Sequence, residues 1–428
     1  MIKKTLIVTV GGSAEPVVEA LKTYCESVDR VCFICSTGKG RASTEILVDG
    51  EGEVFPPAGR CRTCGSLIQP EPSSRRNIIL QSGYCGDYVK VLLEDPDDFQ
   101  EVFEKISGLI KREKESNAGI ISDFTGGTKT MSSVLAMLSA LDLDIGLSLT
   151  TGRRKDTEKV RGLSMSRILD LDRIRVESIF SQAEMLAGNY MYQPAGELIL
   201  RLMSSGLSKD IMSEVEKRYL IARAFTLWDR FDYEGAWSIL VNMPDACPEA
   251  FLYLLGILGK GRNTGYEKVF DLFSNADRQA HNGYYDNAIA RIYRALEMFS
   301  QVRLKSEHGV DTSHLEKSIG LASHPDRWLS RKSENGQIAV GLKESYEFLL
   351  ELSDPVGKVY SGMKEKLCGS LSFRNNSKLA HGDIPSDKKQ WQEFSSFCRE
   401  FIGKCSESIK LSPFYFQLPA SLSSVKME

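Results

Sequence analysis

No run in this chain approaches eighteen apolar residues, so it offers no candidate membrane-spanning helix. A signal sequence is equally hard to find. The opening "MIKKTLIVTVGG" has an apolar stretch only from Leu6 to Val10, with no small-residue cleavage site after it, and reads as a first β-strand. Basic charge is not in excess: 54 Lys and Arg stand against 57 Asp and Glu, which excludes a global positive field able to hold long nucleic acid by counterion release. A nucleic-acid substrate would have to be gripped locally. The P-loop spacing of four residues between its glycine and Gly-Lys is absent, which speaks against a metal-bound nucleoside triphosphate held in that way. Histidine is scarce, with five in 428 residues. Ten cysteines, scattered over that length, do not form a disulfide framework, and reduced thiols fit a cytoplasmic setting.

Two C-x-x-C pairs raise a zinc reading. Cys32 and Cys35 lie in "VCFICST", a strand-like run in which an offset of three sends them to opposite faces. Cys61 and Cys64 lie in a Pro-, Gly- and Ser-rich stretch over 50–76, which reads as a long loop. The expectation is therefore no metal site.

The chain has two textures. Residues 1–175 alternate strand and helix patterns. Candidate strands are Thr5–Val10, Arg30–Cys35, Asn77–Leu80, Gly119–Ser122 and Ile145–Thr150, with helical segments near 15–25, 97–115 and 128–141. This order predicts an α/β, Rossmann-like parallel sheet covered by helices, with 150–168 as a hairpin closing it. From about 176 the strand signals fade and helical hairpins take over. "AGNYMYQPAGELI" and "DRFDYEGAWSIL" are alike, a faint helical-repeat signal. In 285–304, Ile289, Ile292, Leu296 and Phe299 share one face of an amphipathic helix, with Arg291, Arg294 and Glu297 opposite. The end after Lys410 reads as only partly ordered. The expected domains are 1–175, a helical middle over 176–275, and an all-α domain over 276–428.

Chemistry concentrates in three places. In open parallel sheets ligands bind where strands end and helices begin. "VTVGGS" puts Gly11, Gly12 and Ser13 after the first strand, and "DFTGGTKTM" puts Thr125, Gly126, Gly127, Thr128, Lys129 and Thr130 after the fourth. Glycines let backbone N–H groups curl towards an anion, and the helix that follows adds partial positive charge. Hydroxyls of Thr125, Thr128 and Thr130 and the Lys129 ammonium extend the donor set. "STGKGRAS" after the second strand is a near miss to the dinucleotide fingerprint, lacking its acidic ribose contact. The basic run Arg153, Arg154 and Lys155 reads as a solvated loop or as lining of the same sheet edge. Near the other end, "SFRNNSKLAHGD" sets Arg374 and His381 seven residues apart, within about 20° on an α-helix, with Asn375 beside Arg374. An imidazole moves protons near neutral pH and a guanidinium stabilises a phosphorane. One helix supplies one such pair, and a two-fold dimer supplies two around one scissile phosphate.

"DFTGGTKTMS" and "VTVGGS" resemble the turns of the CRISPR-associated Rossmann fold, CARF. "RNNSKLAHG" resembles the R-x(4–6)-H motif of HEPN ribonucleases, and "GYYDNAIARIYRALEMFSQ" is similar to the first HEPN helix of CARF–HEPN proteins. The chain thus resembles the CARF–HEPN ancillary ribonucleases of type III CRISPR systems over residues 1–170 and 276–405, with the middle covered loosely. The 50–76 insertion is not something that family requires. The resemblance implies a homodimer whose CARF pair binds a cyclic oligoadenylate activator and whose HEPN pair cuts single-stranded RNA without a metal cofactor. It places Gly11–Ser13 and Gly126–Thr130 on the activator and makes Arg374, Asn375 and His381 each half of the nuclease site. Glu297 or Arg294 would orient Arg374. The alternative is a CARF sensor without catalysis, acting as a regulator or scaffold.

Overall fold

The computed structural model describes residues 4–37, 43–55, 64, 66, 72–116, 118–155, 158–375 and 384–423, with the side chains of 152–163 and 372–375 excepted. The chain divides into two compact units, 1–178 and 179–428.

In the first unit, β1 (Lys4–Thr9), β2 (Arg30–Ser36), β3 (Asp87–Leu93), β4 (Gly119–Asp123), β5 (Ile145–Lys155) and β6 (Glu158–Ile168) form one sheet in the order β3-β2-β1-β4-β5-β6. All neighbours are parallel except β5 and β6, the expected hairpin. The central strands are nearly continuous in apolar residues because helices cover both faces. One face sends Leu6, Val8, Val31, Phe33 and Cys35 against α1 (Glu15–Tyr24). The other sends Ile7, Cys32, Ile34 and Ile120 against α4 (Phe99–Glu115) and α5 (Lys129–Leu141), with two short helices, α2 (Ile46–Asp49) and α3 (Ile78–Ser82), falling earlier in the chain. Cys32 and Cys35 therefore occupy opposite cores, and burial pushes the Cys32 thiol up to about 12. Cys61 lies outside the described residues, and Cys64 is exposed beside Ser66.

The expected strand at Asn77–Leu80 is a correction. That stretch is helical, as α3: Asn77 caps it by accepting from Leu80 N at 2.8 Å, and Gly83 ends it in the left-handed region at φ 70°. The strand that pairs with β2 is "DYVKVLL", ten residues later, an edge strand half exposed along its length.

The second unit is all-α. α6 (Asp172–Gly188) leads into it, followed by α7 (Tyr192–Leu200), α8 (Lys209–Asp229), α9 (Tyr233–Leu240), α10 (Pro248–Ile257), α11 (Glu267–His281), α12 (Tyr285–His308), α13 (Pro325–Leu329), α14 (Leu342–Glu351), α15 (Pro355–Asn375) and α16 (Lys388–Ser408). The apolar face expected over 285–304 is fully buried: Ile289, Ile292, Leu296 and Phe299 have no exposed surface. They pack with Tyr346, Tyr360 and Phe401, and the Tyr346 hydroxyl donates to Leu296 O at 2.9 Å.

The faint repeat has a structural counterpart. Tyr190 and Phe231, at matching positions of the two similar segments, both adopt positive φ, 58° and 65°. Each ends a helix in the same way: Tyr190 N donates to Ala187 O and Met191 N to Leu186 O, and Phe231 N donates to Trp228 O and Asp232 N to Leu227 O. This is the paired bond pattern of the Schellman motif. A left-handed aromatic costs of order 1 kcal/mol, offset by edge-on packing of Tyr190 against Tyr192 and His281 and of Phe231 against Tyr233. Gly283 repeats the turn before α12, and Ser353 before α15.

The end after Lys410 is the second correction. Residues 411–423 form a strap laid across the helices, with Phe416, Leu418 and Leu422 buried. Phe416 stacks near Trp228 and Tyr253, with centroids 5.9 and 5.0 Å apart. Gln417 Oε1 accepts from Arg278 Nη1 at 2.5 Å, and Pro419 O accepts from the Tyr192 hydroxyl at 2.9 Å. Arg278 is 1% exposed and also pairs with Asp229 at 2.7 Å, so the strap supplies a second partner to a buried charge. Phe416→Ala is expected to destabilise the protein by about 3–5 kcal/mol through the cavity it leaves, read as a lower urea midpoint for the helical unit.

Candidate functional site

The sheet order reverses between β1 and β4. From β1 the chain winds outward to β2 and β3, then returns to place β4 on β1's other side. At such a switch point the loops leaving two adjacent parallel strands diverge and leave a crevice at their C-terminal ends. The two glycine-rich turns are those loops, and they meet. A Cβ on Gly11 would fall 2.7 Å from Gly127 N, and one on Gly126 would fall 2.1 Å from Thr9 O. Gly127 has φ 81°, a conformation other residues rarely adopt. The Thr9 and Ser132 hydroxyls both donate to Gly126 O at 2.7 Å and fix the second loop from below and from α5.

The sequence-derived donors then separate by what they already do. Thr128 caps α5, accepting from Met131 N at 3.3 Å and donating to Pro96 O at 2.8 Å. Thr125 Oγ1 accepts from Thr150 N at 2.7 Å. These two hydroxyls hold the loop's shape. Gly12, Ser13 and Lys129 are exposed and Thr130 half-buried, and the Ser13, Lys129 and Thr130 side chains make no hydrogen bond or ion pair among the described residues. Lys129 is the first residue of α5, where the helix dipole disfavours a cation by a few tenths of a kcal/mol. Arg153, Arg154 and Lys155 end β5 in the closing hairpin, and most of "STGKGRAS" lies outside the described residues.

Asp123 was not among the candidates, though it stands two residues before the Thr-Gly-Gly turn. It is 3% exposed and accepts from Thr125 N at 3.0 Å, Ser148 Oγ at 2.9 Å and Thr150 Oγ1 at 3.2 Å. Burial holds its carboxyl above the ordinary range, partly offset by the bonds from Thr125, Ser148 and Thr150.

In the helical unit, Arg374 and Asn375 close α15, and His381 lies outside the described residues, within 376–383. What the structure describes is the frame on either side. At the start of α15, Asp354 Oδ1 accepts from Val356 N at 2.9 Å. Its Oδ2 accepts from Arg303 Nε and pairs with His308 Nε2, both at 2.9 Å and both from the last turns of α12. On the far side, Asp286 in the first turn of α12 accepts from Ser386 N at 3.1 Å and Ser386 Oγ at 2.7 Å. Asp387 and Gln390 then start α16 with a reciprocal capping pair. α15 thus begins at the C-terminal end of α12, and the chain beyond Arg374 returns to the N-terminal end of α12. Arg294 Nη1 donates to Glu297 Oε2 at 2.7 Å and Gln301 Oε1 at 2.9 Å, so those two polar residues of α12 pair with each other.

Among the described residues no three His, Cys, Asp or Glu side chains gather as a metal site, and no helix is long and apolar enough to cross a membrane.

Residues 260–404 match the family model of the Csm6 HEPN domain. The chain is similar in structure to Enterococcus italicus Csm6 bound to cyclic hexa-2'-fluoro-hexa-dAMP, at 15% identity and a TM-score of 0.56 over 95% of both chains. Can2 from Sulfobacillus thermosulfidooxidans, in complex with cyclic tetra-adenylate, matches at 10% identity and a TM-score of 0.24, over 54% of this chain and 68% of that one. No curated protein matches in sequence.

Gly126→Ala is expected to lower the melting temperature of the first unit, because its Cβ meets backbone and overpacking costs about 1–3 kcal/mol. Gly12→Ala, with nothing within 4 Å, is expected to leave it unchanged. A second prediction concerns pH. The native state binds the Asp123 proton more tightly than the unfolded chain does. The stability this contributes is full in acid and is lost as pH rises from the ordinary aspartate value, about 3.9, through the raised native one. Urea titrations of Asp123→Asn across that window are expected to show a flatter slope than the parent.

Proposed function

We propose that this chain, which belongs through residues 260–404 to the Csm6 HEPN family and carries the Csm6 fold along nearly its whole length, is an endoribonuclease switched on by a cyclic oligoadenylate in type III CRISPR defence. The observation that carries the reading is the pairing of two features in one chain. An unpaired donor set lies at a sheet switch point, and the described chain before and after the Arg-Asn…His motif, at Asp354 and at Ser386, is bonded to the two ends of α12. Residues 1–175 are the sensor, 176–275 the connecting helices and 276–428 the nuclease.

In the sensor, Gly11, Gly12, Ser13, Gly126 and Gly127 present backbone N–H groups, and Lys129 and Thr130 present side-chain donors, to the phosphates and riboses of the ring. Thr125 and Thr128 act mainly by shaping the loop. A ring with two-fold-compatible symmetry suits the homodimer, in which each protomer supplies one such nest. The bound ring of the Csm6 relative supports this class of activator.

In the nuclease, the 2′-hydroxyl of single-stranded RNA attacks the adjacent phosphorus while one His381 takes its proton. The P–O5′ bond breaks, and the His381 of the second protomer protonates the leaving 5′-oxygen. The products are a 2′,3′-cyclic phosphate and a 5′-hydroxyl end. Arg374 carries the charge that builds on the phosphorane, and Asn375 holds a non-bridging oxygen. The 2′-hydroxyl is an internal nucleophile and imidazole performs both proton transfers, so the chemistry proceeds in EDTA. A ligand that favours the active dimer by about 3–4 kcal/mol shifts activity by about 100- to 1000-fold.

The test incubates the purified protein with labelled single-stranded RNA in EDTA, adding cyclic tetra- and hexa-adenylate separately. One of them is expected to switch on cleavage, and His381→Ala and Arg374→Ala are each expected to lose about 100-fold or more. Cleavage unchanged in both variants rejects the nuclease reading. Lys129→Ala is expected to raise the activator concentration needed while leaving saturated cleavage intact, and an unchanged activation curve removes Lys129 from the ring site.

A further inference from the structure

The nuclease reading leaves unexplained a concavity of about 250 Å³ at the beginning of α12, and any role for it in RNA binding rests on that reading. It is lined by Tyr284, Tyr285, Asp286 and Asn287 from one side and by Pro385 and Ser386 from the other. Tyr284 is 57% exposed and Tyr285 half-buried, and neither hydroxyl has a partner among the described residues. The Asn287 side-chain amide is likewise unpaired there. Ser386 is tied to Asp286 by three hydrogen bonds, so the two walls are held together. Ser386 follows His381 by five residues, a reach of at most about 18 Å.

We infer that this concavity is a nucleobase subsite of the RNA substrate, in which Tyr284 and Tyr285 stack a base within a few nucleotides of the cut and Asn287 reads its edge. Its lining distinguishes among ligand chemistries. Among the described residues no lysine or arginine lines it and a carboxylate does, so these residues offer a phosphate no cation. The exposed Tyr284 ring, with the half-buried Tyr285 beside it, gives an aromatic face of the kind on which single-stranded bases stack, with little dependence on sequence. The amide of Asn287 offers donor and acceptor together, and the unused lone pairs of Asp286 accept only. That pair favours a base bearing an exocyclic amine, adenine and cytosine among them, over uracil. The placement follows from the fold: the Gly283 turn, at φ 78°, starts α12 so that Tyr284 and Tyr285 emerge beside the anchored Ser386.

The experiment uses the full chain with saturating cyclic oligoadenylate. In a His381→Ala background, a fluorescein-labelled single-stranded RNA 12-mer of mixed A and C is titrated against the parent, Tyr284→Ala and Tyr284→Phe. Loss of one stacking contact is expected to weaken binding about 10-fold in Tyr284→Ala, while Tyr284→Phe stays within twofold because only the ring is used. With His381 intact, Tyr284→Ala is expected to raise KM about 10-fold with kcat unchanged, as for binding lost equally from ground and transition states. Asn287→Ala is expected to erase the preference of the parent for A and C over U. Binding by Tyr284→Ala within twofold of the parent, or a fall in kcat without a rise in KM, overturns the subsite and leaves the nuclease reading standing. A His381→Ala parent that binds no RNA, together with an intact protein that cuts none, overturns the nuclease reading itself.

Discussion

Two buried or half-buried carboxylates grip the two ends of one long helix and tie the helical unit together around it. Asp354 joins the last turns of α12 to the first turn of α15, and Asp286 joins the first turn of α12 to the chain just before α16. Between these grips α12 is immobilised by four side chains with no exposed surface. A carboxylate accepting several hydrogen bonds from charged and backbone donors is among the stronger polar contacts available, and Asp354, 1% exposed at its side chain, makes them with little competition from water.

The first unit depends on a different constraint, the absence of side chains. Gly11 and Gly126 approach neighbouring backbone so closely that any Cβ would collide, and Gly127 occupies the left-handed region. The closeness lets two turns from adjacent strands share one crevice. The polar groups beneath them, Thr9, Asp123, Ser148 and Thr150, are spent on holding the turns, while Ser13 and Lys129 stand exposed. The division of labour between Thr125 and Thr128 on one hand and Lys129 and Thr130 on the other is a consequence of which hydroxyls point inward.

The helices between the two candidate sites are joined by one recurring device. The same helix-ending turn occurs at Tyr190, Phe231, Gly283 and Ser353, with left-handed backbone each time. Two of these carry an aromatic that strains the turn and then packs edge-on against a neighbour. In sequence they stand out as a weak repeat, whereas the glycine and serine versions are invisible because the backbone geometry is shared and the side chain is not.

Much was legible from periodicity and punctuation alone. Alternation of apolar runs and helical patterns determined the α/β first unit, the closing hairpin and the glycine-rich strand-to-helix turns, since burial on both faces of a parallel sheet imposes those patterns. The stripe from Ile289 to Phe299 determined that α12 would be a core helix, and an odd offset determined that Cys32 and Cys35 would part. Tertiary structure alone decided the rest. Asn77 and Gly83 act as caps, so their apolar stretch became a helix, while the true edge strand, half exposed, has only a dilute apolar signal. The strap after Lys410 looks like a loose end until Trp228, Tyr253 and Arg278, distant in sequence, supply the surface and the charge that bind it. The Asp286–Ser386 and Asp354–Arg303 contacts span 100 and 51 residues. Local sequence carries propensity and pattern, and a contact between residues that far apart exists only once the packing of intervening helices has brought them together.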